Sequence, residues 1–216
     1  MRVLLDGAEL TVESASLRSA LEAAAAAAAA NGRVIVEVEA DGSPVPADDL
    51  ASPSSEPMQA GELQMTSADP RSLVAVTLHD AGDAVAQLRE GQARAAEAVQ
   101  SGKIEDALAT LAQVLGVWQA AHDAVEKGAA LLGIDLDAMR LTLPSGANET
   151  VGPRVQSLAA KLGELKRAVT DQDWTALSDT LAYDLDEESV AWAGMLHAMG
   201  DQIQGGPARD NPAAGG

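Results

Sequence analysis

The chain contains no cysteine and no phenylalanine. Without thiols it has no disulfide framework, no thiolate zinc site and no cysteine nucleophile. Without Phe, and with Trp118, Trp174, Trp192 and Tyr183 as the only aromatic residues, its core must be built from Ala, Leu and Val. Basic residues are scarce as well: 14 Lys and Arg stand against 33 Asp and Glu, for a net charge of −19. Such a field repels phosphate backbones and anionic headgroups, and the clustered cations that counterion release needs are missing, so neither nucleic acid nor a membrane surface is expected as a partner. Long apolar runs are lacking too. The start MRVLLDGAEL is interrupted by Asp6, Gly7 and Glu9, too soon for a signal-peptide core. The alanine tract from Ala23 to Ala30 falls far short of the roughly 20 residues of a membrane span. These absences together predict a soluble, cytoplasmic chain.

What is present is helical periodicity. Ile104, Leu108, Leu111, Leu115, Trp118, His122, Val125, Ala129 and Leu132 recur at alternating three- and four-residue steps, one continuous seam on one helix face. A second seam precedes it at Val74, Leu78, Ala81, Val85, Leu88, Ala95 and Val99, and Ser101-Gly102 between them predicts an antiparallel hairpin. Asp69 or Ser67 with Pro70 supplies the start of the first of these helices. Pro153 opens a shorter helix through Val155, Leu158, Leu162, Leu165 and Val169. After a break at 170 to 173, a last helical region follows through Trp174, Leu177, Leu181, Leu185, Trp192, Met195 and Met199, with a kink or break near residue 186. Residues 134 to 152 read as a long connection with an extended piece near Met139 to Leu143.

The amino-terminal part has a different rhythm. Val3 to Leu5, the turn pair Asp6-Gly7, and Leu10 to Val12 read as a β-hairpin. A helix from about Ser16 to Ala30 follows, capped by serine and stopped by Asn31-Gly32. Residues 33 to 39 alternate, placing Val34, Val36 and Val38 on one face of a strand that Asp41-Gly42 turns. Residues 43 to 61 are rich in Pro, Ser and acid and read as a loop, with a further short strand around Leu63 to Met65. The expected organisation is an α+β unit of ββαβ, β-grasp-like order over residues 1 to 68, an antiparallel four-helix bundle over 69 to 204, and a disordered tail over 205 to 216.

Two stretches carry a resemblance. QSGKIEDALATLAQVLGVW (100 to 118) and DQDWTALSDTLAYDL (171 to 185) resemble recurring motifs of an uncharacterised bacterial protein family of the same layout, a resemblance that implies no particular activity. An acidic helical bundle of this kind is also loosely similar to flagellar and type III export chaperones. The first stretch is similar to one tetratricopeptide unit, but no second copy follows at that period, so a solenoid is the lesser reading.

The chemistry-bearing residues read as follows. His79, His122 and His197 each have a carboxylate four residues on, namely Asp83, Glu126 and Asp201, which favours ordinary surface pairs over a metal or acid/base site. Di-iron ligation is disfavoured because Val76, Gln119 and Gly194 stand where its Glu-x-x-His motif needs glutamate. Asp184, Asp186, Glu187 and Glu188 lack the spacing of a calcium loop and read as a solvated acidic helix start. No nucleophile elbow or phosphate-binding glycine loop occurs, so no catalytic, cofactor or metal residue is assigned. The pattern favours a non-enzymatic, chaperone-like helical bundle that binds an amphipathic or basic protein segment, or self-associates, through Trp174, Tyr183, Trp192, Met195 and Met199. The rival is a metal- or small-molecule-binding enzyme built on His122 and nearby carboxylates. In a third arrangement the β-grasp-like unit recognises the partner and the bundle is its scaffold.

Overall fold

The chain is mixed α+β, with a five-stranded sheet in its amino-terminal part and helices through most of the remainder. A computed structural model describes residues 1–143 and 146–205. Within it two compact units separate, Met1–Leu73 and Val74–Gly216. The tail expected to be disordered lies almost wholly outside the described residues.

In the first unit, β1 (Arg2–Leu5) and β2 (Ala8–Glu9) form the hairpin that Asp6-Gly7 announces. Both turn residues have positive φ, 50° and 81°, the pair of left-handed conformations that a type I′ turn requires. α1 (Leu17–Ala30) starts at Ser16, whose side chain accepts the Ser19 N–H. Then come β3 (Val34–Ala40), β4 (Ser43–Pro44), the short α2 (Ala47–Ala51) and β5 (Glu62–Ala68). The strand order is β2-β1-β5-β3-β4, with β1 parallel to β5 and the other pairings antiparallel. Leu17, Ala20, Ala24 and Ala28 of α1 share one core with Val3, Leu5, Val38, Leu63 and Met65.

Four sequence expectations change here. The second arm of the hairpin is Ala8–Glu9 and not Leu10 to Val12. The segment around Leu63 is not a minor strand but the central one, hydrogen-bonded on both sides. The valines of β3 do not share a face, because the register with β5 slips between Ile35 and Glu37. Val36 is the extra residue of that bulge and is 45% exposed, while Ile35 and Val38 pack on the core. The stretch from 43 to 61 is held rather than loose. Val45, Leu50 and Met58 pack against the core. Met58 N–H donates to Ala15 O at 2.7 Å, and the Arg18 guanidinium donates to Ser55 Oγ and Pro53 O at 2.9 and 2.8 Å.

The second unit is built from α3 (Pro70–Gln100), α4 (Ile104–Leu132), a hairpin of β6 (Arg140–Thr142) and β7 (Asn148–Thr150), α5 (Val151–Asp171), α6 (Trp174–Asp179), a π-helical segment (Thr180–Asp184) and α7 (Leu185–Gly205). α3 ends in a Schellman turn: Gly102 N–H bonds to Val99 O at 3.0 Å and Lys103 N–H to Ala98 O at 2.8 Å. The same pair of bonds ends α4 at Gly133 and Ile134, and ends α5 at Gln172 and Asp173.

α4 buries only part of the seam its large residues mark. Leu111, Trp118, Val125 and Ala129 face inward, but Leu108 and Leu115 are each 36% exposed, and Ala107, Val114, Ala121 and Gly128 complete the buried stripe. Small residues win because they let α3 and α4 approach: a Cβ on Gly91 would stand 3.2 Å from Val114 Cγ2, and one on Gly128 only 2.8 Å from Val74 Cγ1. Trp118 of α4 and Trp192 of α7, both 0% exposed, meet edge-to-face with ring centroids 5.7 Å apart.

Candidate functional site

The last helical region does not break at residue 186. It passes through one widened turn, in which Leu185 N–H bonds to Thr180 O five residues back, and continues as α7. Leu181 and Leu185 are both buried at this turn, at 1% and 0% exposure, and Glu188 and Ser189 one turn further on are buried as well. Such single π turns occur disproportionately at functional sites.

Polar side chains gather around this turn in an otherwise apolar core. Gln92 and Ser189 are both 0% exposed; Gln92 Nε2 donates to Ser189 Oγ at 3.0 Å, and that hydroxyl donates to Leu185 O at 2.7 Å. Gln100 Nε2 donates to Ser178 Oγ at 2.9 Å. Arg89 makes a two-pronged pair with Asp186, at 2.6 and 3.0 Å. The bonds from Arg89 hold the Asp186 carboxyl below the usual carboxylate range, against a smaller opposing effect of burial.

Glu188 is the most consequential member. Its side chain is 1% exposed and meets Lys161 Nζ at 2.7 Å and Arg154 Nη1 at 3.4 Å, both from α5. Arg154 also pairs with Glu149. Burial works against the charge of Arg154, but Glu149 and then Glu188 outweigh it and hold its pKa above the ordinary arginine value. Lys161 Nζ further donates to Asp184 O at 3.2 Å, tying α5 to the π segment. Two carboxylates therefore answer two cations, an arrangement that positions helices rather than offering a free acid or base.

Glu188 and Asp186 were expected as solvated residues of a helix start; the structure pairs both of them with cations on other helices. The local signal for this was weak: Gln92 fills the gap between Leu88 and Ala95, and Glu188 with Ser189 stands one turn past Leu185, polar residues at positions due to face inward.

The residues marked as partner anchors divide. Trp192, Met195 and Met199 are 0% exposed, core rather than surface, so the folded chain does not present them to a partner. Trp174 is half-buried against the same core. Tyr183, on the π segment, is 72% exposed, and Val190 on α7 is 55% exposed.

The histidines divide as well. His122 pairs with Glu126 four residues on, at 3.6 Å, as its spacing suggests. His79 and His197 instead reach across to the opposite helix: His79 Nε2 lies 3.0 Å from Asp201 Oδ1, and His197 Nε2 lies 3.1 Å from Asp83 Oδ1. Their rings stand 5.7 Å apart. Each ring lies over a glycine of the other helix, for a Cβ on Gly82 would be 2.7 Å from His197 Nε2 and one on Gly200 2.8 Å from His79 Nε2. The signal was present in the sequence as a recurring Leu-His-x-x-Gly-Asp pattern, within the octapeptides LHDAGDAV at 78 to 85 and LHAMGDQI at 196 to 203, which pair with each other head to tail. Among the described residues, no three His, Cys, Asp or Glu side chains converge as a metal site.

Outside this network, between α3 and the π segment, lies a cleft of about 190 Å³. Ala93, Ala96, Leu181 and Ala182 give it an apolar floor, and the Arg89–Asp186 pair stands at its edge. Pockets for drug-sized molecules run from about 300 to 1,000 Å³; this one has room for a single side chain.

No known family, curated protein or solved structure matches the chain. The likeness of residues 100 to 118 and 171 to 185 to a bacterial family therefore carries no argument about function. No helix among the described residues is long and apolar enough to cross a membrane.

Proposed function

We propose that this chain is a non-enzymatic protein-interaction module of chaperone-like kind, acting in the cytoplasm on an amphipathic or basic segment of another protein. The observation that carries the proposal is the outward face of the last helical arm. There Tyr183 and Val190 stand exposed, with Asp179, Asp184 and Glu187 exposed on the same stretch. From Ala168 to Ile203 the sequence contains no lysine or arginine. An apolar strip in an acidic surround suits a cationic amphipathic partner and repels nucleic acid and anionic membrane.

The finer architecture belongs to the same proposal. The β2-β1-β5-β3-β4 order, with β1 parallel to β5 and one long helix sharing the sheet's core, supports a β-grasp-like first unit. Cross-helix ties support an antiparallel four-helix bundle of α3, α4, α5 and α7: His79 with Asp201 and Asp83 with His197, Gly128 against Val74 and Gly91 against Val114, Arg154 with Glu188 and Lys161 with Asp184.

The test is affinity capture from the native host with the intact chain and a Tyr183→Lys, Val190→Lys variant of unchanged thermal midpoint. Selective loss of the dominant partner in the variant is the expected result. Equal recovery of every partner by both proteins would overturn the proposal.

A further inference from the structure

The cleft beside the π segment carries a more specific inference, one that rests on the interaction reading above. We infer that it seats one aliphatic side chain of a basic amphipathic helix from a partner protein. Its volume of about 190 Å³ suits a single Leu, Ile or Met side chain, and three of its floor residues are alanines, whose short side chains leave the depth open. The walls are fixed before any partner arrives. Gln100 is hydrogen-bonded to Ser178 and Arg89 to Asp186, two ties that join α3 to the opposite wall of the cleft. A cleft held this way loses little freedom on binding, which favours affinity.

Charge selects the occupant. The guanidinium of Arg89 is already answered by Asp186 at 2.6 and 3.0 Å. Glu97, which also lines the cleft, has no ion-pair partner among the described residues. The surface offered to a partner is therefore apolar at the floor and negative at the rim. An amphipathic helix with an apolar residue flanked by Lys or Arg one turn away matches both parts. A second copy of this chain matches the rim poorly, since it brings a further net charge of −19.

The experiment titrates the full chain with a fluorescently labelled, 18-residue Leu/Lys amphipathic peptide, with a Leu/Glu peptide of the same length as control. Ala93→Met and Ala182→Met each fill the cleft without changing any charge, and Ala93 is exposed, so that variant tests the site even if the other fails to fold. The expected result is Leu/Lys binding, none by Leu/Glu, an affinity loss of about ten-fold or more in each folded Met variant, and a smaller loss in Glu97→Gln. Unchanged affinity in the Met variants would place the peptide on the acidic surface at large and overturn the cleft assignment, while leaving the Tyr183 and Val190 test untouched. No Leu/Lys binding at all would overturn it too. A concentration-dependent dimer abolished by Ala93→Met would give the cleft to a second copy and likewise overturn it.

Discussion

Glu188 shows what a single residue can hold in this chain. Its buried carboxylate has two cationic partners, so Glu188→Ala removes one negative group from Lys161, 24% exposed, and from Arg154, 27% exposed and still paired with Glu149. Losing one partner of a fully buried pair costs about 3 to 5 kcal/mol; with both cations reaching water, urea denaturation of Glu188→Ala should register a clear loss below that range. Lys161→Met in the same background should recover part of it, since it removes a charge left uncompensated. A second residue-scale expectation concerns Asp6 in the first unit. Its carboxylate accepts from Ser67 Oγ at 2.6 Å and Ser67 N–H at 2.8 Å, and these two bonds hold its pKa below the usual carboxylate range. A depressed folded pKa contributes stability that is present above the unfolded value, near 3.9, and is lost as pH falls through the folded one. Asp6→Asn, which tolerates the positive φ at that position, should lower the thermal midpoint at pH 7, where the wild-type carboxylate is charged and bound to Ser67, and flatten the further fall below about pH 4. The Asp6-Gly7 turn was legible from its dipeptide, whereas the role of Asp6 in binding Ser67, 61 residues away, was not.

At the scale of helices, the paired octapeptides make the crossing of α3 and α7 specific. A Cβ at Gly200 would come within 2.8 Å of the His79 ring and 3.1 Å of Ala75 O, so Gly200→Ala must displace the histidine, the helix or both. A cost of about 1 to 3 kcal/mol is expected from such overpacking. His79→Ala in the same chain should recover a measurable share, and a double-mutant cycle reads the coupling. Strict additivity of the two substitutions would show that the ring is not what the glycine makes room for. The end of α5 gives a prediction of opposite sign. Gln172 holds the left-handed position of its Schellman turn with φ 56°, where α3 and α4 use glycine at the equivalent position. Gln172→Gly should raise stability by up to about 1 kcal/mol, read as a higher thermal midpoint. Helix ends were readable because their signals are local. The π turn was not, since Thr180 to Asp184 contains nothing that distinguishes it from ordinary helix, and Leu181, Leu185 and Glu188 stand at spacings that an ordinary helix also turns inward.

For the whole molecule the dominant physical quantity is charge. With 33 acidic and 14 basic residues, the compact state works against its own repulsion. Raising ionic strength from about 20 to 500 mM, which shortens the Debye length from ~20 Å to ~4 Å, should raise the thermal midpoint. A fall instead would mean that exposed ion pairs such as Lys127–Asp123 outweigh the net repulsion.

The local pattern alone determined the helices α1, α3, α4 and α5 and the strands β1, β3 and β5, where Asp-Gly and Gly turns end them, that Trp118 belongs inside, and that the chain is acidic. Those features depend on residues within one or two turns of each other, and periodicity records them. The tertiary structure decided the rest: the central place of β5, the bulge at Val36, the small-residue face of α4, and the burial of Trp192, Met195 and Met199. It also decided every partner of the polar cluster, as with Gln92 and Ser189, 97 residues apart. A helix face specifies that a residue points inward, but which residue it meets there depends on the rotation and sliding of whole helices against one another, and that register is settled only when the core closes.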